Sequence, residues 1–157
     1  MLSTAHVVVG MAVGAATGSP VVGLVAGILS HHLMDIVPHW DSGSFYAPTF
    51  DVVEPNRRDL LIATADALVA IGLFVAALNQ FGQGQPWPLI AGAAGGLLPD
   101  LWHHIPLWSR WSRRVTARWF GIHNHFHHTV EQKQMVWGLL TQVVAIILGW
   151  WWLSLVR

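Results

Sequence analysis

The stretch LVAGILSHHLMDIVPH (residues 24–39) and its echo LIAGAAGGLLPDLWHH (residues 89–104) decide how this chain is read. Six of the sixteen aligned positions are identical, and they include Asp35 with Asp100 and His39 with His104. Apolar helices rich in Gly and Ala match easily, but here the polar residues match as well. Each copy runs from an apolar segment into an Asp-x-x-x-His pair, a spacing that puts both side chains on one helix face. The repetition predicts a duplicated helical hairpin with a polar site where the copies meet.

Working outward, Gly18-Ser19-Pro20 breaks the first apolar stretch. One helix is therefore expected over 3–17, and a second over 20–37 with Pro20 at its first position. A polar loop with Pro38, Pro48 and Pro55 follows. Further helices are expected over 58–79, 88–104 and 130–156, with Gly82, Gly84, Pro86 and Pro88 marking the turn between the first two. The third and fifth reach the roughly 20 residues that a membrane crossing needs. The first two are shorter, about 24–27 Å at 1.5 Å per residue. Residues 7–29 as one span are the alternative to the first hairpin. The expected fold is an all-α integral membrane protein of about five helices in a single domain. Repeat 1 covers 3–39 and repeat 2 covers 58–104. An interfacial Arg/Trp segment and a His box fill 105–129, and a C-terminal transmembrane helix covers 130–156.

Composition agrees with a lipid environment. The chain is 54% hydrophobic and 10% charged, against about 25% charged in a soluble domain. There are no cysteines, so a metal must be held by nitrogen and oxygen. The formal net charge is zero, which gives no reason to expect nucleic acid as a partner. No Lys or Arg precedes the first apolar run, so a cleavable signal peptide is not expected. The N-terminus, the 38–57 loop and the 105–129 segment are separated by even numbers of crossings and share a side. Arg57, Arg58, Arg110, Arg113, Arg114, Arg118 and Lys133 lie there, and Arg157 lies opposite. The positive-inside rule then puts the histidine side in the cytoplasm, at the plasma (inner) membrane.

Chemistry concentrates on that side. His31, His32, Asp35 and His39 fall within nine residues, with His31 and Asp35 on one helix face. Asp100 and His104 repeat the pair behind Pro99. His123-Asn124-His125-Phe126-His127-His128 holds four histidines in six residues. Imidazoles and carboxylates gathered at the ends of membrane helices point to metal binding. His6 and Asp66 are single polar residues at matching places near the heads of the first and third helices. A lone carboxylate on an apolar helix needs a partner, so both join the ligand pool. The expected ligands are His6, His31, His32, Asp35, His39, Asp66, Asp100, His104, His123, His127 and His128, with Asp35, Asp66 and Asp100 as candidate catalytic carboxylates. The stretch from Trp108 to Phe120 reads as an amphipathic interfacial segment. Arg113 and Arg114 in it are candidates to hold a lipid phosphate, since guanidinium suits that geometry. The small-residue face Gly10, Gly14 and Gly18 offers a surface for homo-oligomer formation.

The GGLLPD motif at 95–100, the early Thr4-Ala5-His6 and the late histidine box resemble the membrane-bound metal-dependent hydrolase family. The His31–Asp35–His39 pattern is also similar to bacterial membrane proteins grouped with zinc-dependent phospholipases. Trp102 stands where the family pattern has a second acid. His123 and His128 keep the spacing of its late box, while Asn124 and His125 depart from it.

Three functions follow as expectations. The first is a hydrolase acting on a lipid or lipid-linked ester at the cytoplasmic face, through water activated by one or two divalent ions. Zinc suits an imidazole-rich site, and manganese or iron suits a mixed His/Asp set. The second is a di-iron oxidoreductase, since His123, His127 and His128 match the spacing of membrane histidine boxes. The third is a non-enzymatic metal-binding membrane protein. No nucleophilic Ser or Cys motif is present, which favours direct attack by water.

Overall fold

The computed structural model describes residues 1–41, 57–104, 121, 123 and 125–156, and the side chains of residues 102–104 lie outside that description. Five α-helices and no strands are present among these residues. They are α1 (Ser3–Thr17), α2 (Pro20–Ile36), α3 (Arg57–Phe81), α4 (Pro86–His104) and α5 (Met135–Leu155). A 3₁₀ turn at Gln132–Gln134 leads into α5.

The break between α1 and α2 forms as the sequence dictates. Gly18 adopts φ 65°, and its amide donates to the Ala15 carbonyl. This is the left-handed helix end that glycine reaches without a Cβ clash. Ser19 then caps α2 by accepting the Val22 amide, and Pro20 sits at the first helical turn, where its missing N–H is no loss. Residues 7–29 are therefore a hairpin.

α4 lies in the groove between α1 and α2, and glycine makes that approach possible. A Cβ on Gly92 would overlap the Gly10 carbonyl and stand 2.7 Å from the Gly14 Cα. A Cβ on Gly95 would overlap the Leu24 carbonyl, and one on Gly96 the His6 carbonyl. Backbone-to-backbone packing of this kind is the usual use of small residues between membrane helices. It corrects one expectation: Gly10 and Gly14 face α4 of the same chain, so that face is filled and does not serve association. α3 and α5 flank α1, and α3 makes few contacts with α4. The second pair is thus no close-packed hairpin like the first.

Large apolar side chains point outward. Val21, Val25, Leu29 and Leu33 of α2, Leu61, Leu68 and Ile71 of α3, and Val136, Trp137, Ile147 and Trp151 of α5 are all exposed. α3 and α5 with its preceding turn are long and apolar enough to cross a membrane. The buried polar residues His6, Ser30, His31, Asp35, His39, Asp59, His123 and Gln142 instead gather at one end of the helices.

The fifth helix starts later than the apolar pattern suggests, because residues 128–130 are held extended. The His128 amide donates to the Asp35 carbonyl, and the Val130 amide to the His39 carbonyl. The His39 amide donates to the His128 carbonyl. These bonds stitch the late histidine box onto the end of α2.

The glycine seam predicts a sharp contrast. Gly92→Leu should lower stability by at least the roughly 1–3 kcal/mol of an overpacked core. Gly72→Ala, where a Cβ meets nothing within 4 Å, should be neutral or gain up to about 1 kcal/mol. Thermal melting in detergent reads both, and equal melting temperatures would refute the seam.

Candidate metal centre

Asp35 is the centre of the cluster and is fully buried. Its Oδ1 lies 2.7 Å from the Met1 ammonium, 3.2 Å from His6 Nε2 and 3.9 Å from His39 Nε2. Its Oδ2 lies 3.3 Å from His31 Nε2 and 4.0 Å from His127 Nε2. Asp100 Oδ1, from α4, stands 3.5 Å from His31 Nε2 and 3.8 Å from His123 Nε2. The His6 ring stacks on His31 at 3.9 Å, and His123 stacks on both His31 and His127 at 5.3 Å.

Backbone carbonyls aim two of these rings. His31 Nδ1 is 2.8 Å from the Gly96 carbonyl, and His39 Nδ1 is 2.8 Å from the Val37 carbonyl. A carbonyl only accepts, so Nδ1 carries a proton and Nε2 is the nitrogen turned to the cluster. Metal-binding histidines are usually oriented in this way. His39 Nε2 then faces His127 Nε2 at 3.2 Å. Burial, followed by the Met1 ammonium, holds His39 down to about 4, and the same two causes lower His127. Both rings are neutral and ready to ligate at pH 7.

The donor set fits a metal ion. His6 Nδ1 is buried and makes no hydrogen bond, while His6 Nε2, His31 Nε2 and the Asp35 carboxylate are buried with only cluster members and the Met1 ammonium within reach, an arrangement an ion would satisfy. Two ligands about 2.0–2.1 Å from one zinc stand roughly 2.8–3.4 Å apart at angles between octahedral and tetrahedral. The separations of 3.2 Å (His6–Asp35), 3.3 Å (His31–Asp35) and 3.2 Å (His39–His127) fall in that range. Four groups have donor atoms all within 4.8 Å of one another: His31/His32/His123, His6/His31/Asp100, Asp35/His123/His127 and His39/Asp41/His127.

Of the expected ligands, the structure therefore brings together His6, His31, His32, Asp35, His39, Asp100, His123 and His127. Asp66 is placed elsewhere. Its carboxylate accepts the Ser3 and Thr4 amides at 2.7 and 3.2 Å, and Thr4 Oγ1 donates to its carbonyl. Leu2 offers α1 no cap of its own, so Asp66 caps that helix from α3. His128 turns its ring to the surface, with Nδ1 against the Phe126 carbonyl, and serves through its backbone. The His104 side chain, Arg113 and Arg114 lie outside the described residues.

Two functional residues escaped the sequence reading. Asp41 Oδ2 lies 3.7 Å from His127 Nε2. The alternation His39-x-Asp41 was its signal, since alternate residues of an extended segment share a side. Gln142 is buried in α5; its Oε1 accepts the Leu2 amide at 2.8 Å, and its Nε2 donates to the Trp40 carbonyl at 2.6 Å. With Thr141 Oγ1 donating to the Pro38 carbonyl at 3.0 Å, it fastens the His39–Asp41 segment to α5. A lone amide in an apolar helix was the readable sign.

Asp66→Ala should reduce stability by about 1–2 kcal/mol, the cost of a lost helix cap, with metal content unchanged. Asp35→Asn should abolish metal binding. Elemental analysis beside a thermal melt separates the two, and metal loss in the Asp66 variant would refute the capping role. The unfolded chain binds more protons than the folded one between the ordinary imidazole value of 6.5 and about 4 for His39. Metal-free protein should therefore lose stability as pH falls through that window, by up to about 1.4 kcal/mol per pH unit for each such group. A melting temperature independent of pH from 7 to 4.5 would contradict it.

Comparison of the chain with protein-family models, with curated proteins and with solved structures finds no match.

Proposed function

We propose that this chain is a membrane-embedded, metal-dependent hydrolase that cleaves a lipid or lipid-linked ester at the cytoplasmic face of the plasma membrane. The observation that carries the reading is the Asp35 cluster itself: buried nitrogen and oxygen donors at ligand spacing, set at one end of helices whose outer surface is apolar. In lipid, such a distribution buries the polar groups and exposes the apolar ones to a matching solvent. Among the described residues the cationic side chains Arg57, Arg58 and Lys133 belong to that same end, which supports a cytoplasmic orientation. Among the described residues the buried polar side chains gather at that end, which argues against a transport path through the bundle. The resemblance of 95–100 and of the histidine box to membrane-bound metal-dependent hydrolases agrees with this assignment.

A divalent ion bound here, with zinc the first choice for these ligands, would supply Lewis acidity and lower the pKa of a bound water. His6, His31, Asp35, His39, Asp100, His123 and His127 are the residues that would hold it. The side chain of Asp35 is fully sealed, whereas that of Asp100 is 19% exposed. Asp41 is likewise partly exposed, at 26%; the Asp100 oxygen not engaged by an ion would be available to take a proton from incoming water, while Asp35 organises the imidazoles.

The test is metal content followed by turnover. Protein purified in detergent without a His-tag should carry zinc or manganese. It should release product from a mixed panel of phospholipids and lipid-linked phosphates, and lose at least about a hundredfold of that rate in Asp100→Asn. Bound iron with oxygen consumption would replace this reading with an oxidoreductase. Metal without turnover on any ester would leave a binding protein.

A further inference from the structure

Two of the four ligand-spaced groups lie on either side of Asp35 and share no residue with each other. His6, His31 and Asp100 form one, from α1, α2 and α4. His39, Asp41 and His127 form the other, from the segment after α2 and the late histidine box. Asp35 stands between them. Oδ1 faces His6 of the first set at 3.2 Å and His39 of the second at 3.9 Å. Oδ2 faces His31 of the first at 3.3 Å and His127 of the second at 4.0 Å. Each carboxylate oxygen thus looks toward one imidazole of each set. With His123 in reach of Asp35 and Asp100, the donors outnumber the four that one zinc takes and the six of an octahedral ion.

We propose that the centre is dinuclear: Asp35 bridges two divalent ions, one held by His6, His31 and Asp100, the other by His39, Asp41 and His127. The proposal deepens the metal-dependent reading above and assigns Asp41 as a ligand. Sealed between both sets, Asp35 is the residue both ions must share, and its loss differs in kind from the loss of a terminal ligand. A pair of ions bridged in this way suits a phosphoryl centre, where attacking and leaving oxygens are both stabilised.

The experiment uses the full chain in detergent, stripped with chelator and reloaded with Mn²⁺, and reads stoichiometry and electron paramagnetic resonance rather than turnover. The expected result is about two Mn²⁺ per chain with an exchange-coupled spectrum in place of the six-line signal of isolated ions. Asp41→Asn and His6→Gln, which empty different halves, should each bind about one Mn²⁺ and show the six-line signal. One Mn²⁺ per unmodified chain, two without coupling, or full occupancy in both variants would overturn the proposal. The unmodified protein decides the question even if a variant fails to fold. A coupled pair in a protein that hydrolyses no ester would uphold the dinuclear centre and reject the hydrolase.

Discussion

Everything at the polar end of this protein answers to one constraint, a carboxylate withdrawn from water. Asp35 is wholly buried, and an unpaired buried carboxylate costs several kcal/mol or more. His6 from α1 and His31 one turn back on α2 stand against it, the Met1 ammonium touches it, and His39 and His127 close the far side. Its own backbone carbonyl takes the His128 amide. The late histidine box is thereby tied to α2 at the residue whose side chain its imidazoles surround. The carboxylate and the architecture around it are one arrangement.

That arrangement depends on how closely the helices approach. Imidazoles from α1 and α2 and a carboxylate from α4 meet because the axes are brought together at Gly10, Gly14, Gly27, Gly92, Gly95 and Gly96. Side chains there would push the helices apart and separate the ligands. The same glycines do a second job at Gly96, whose carbonyl accepts the His31 ring proton. Gly96, which aligns with His31 in the sequence, is thus the residue whose carbonyl orients that ring. α2 brings the His31 imidazole, while α4 brings both the carbonyl that orients it and the Asp100 carboxylate beside it.

The outer helices hold rather than ligate. α3 reaches over with Asp66 to cap α1, and α5 reaches in with Gln142 to join the start of the chain to Trp40. Both attachments act on backbone, so they set where His6, His39 and Asp41 stand without entering the cluster. Among the described residues, the apolar outer faces of these helices leave the buried polar side chains gathered at the common end.

Much was legible in the sequence because it is local. Gly18-Ser19-Pro20 dictates a helix end and a new start whatever packs around it. The i,i+4 spacing of His31, Asp35 and His39 places them along one face, and the apolar lengths of α3 and α5 are set by composition. What the tertiary structure alone decided is who faces whom. Asp66 looked like a ligand because a carboxylate on an apolar helix needs a partner; it has one, but the partners are backbone amides 62 and 63 residues away. His128 and His127 are neighbours with the same side chain, yet one ring enters the cluster and the other turns out, because the backbone of His128 is taken up in pairing with α2. Asp41 lay hidden in a loop whose position depends on Gln142. Such distinctions arise from contacts across the whole chain, which no local spacing encodes.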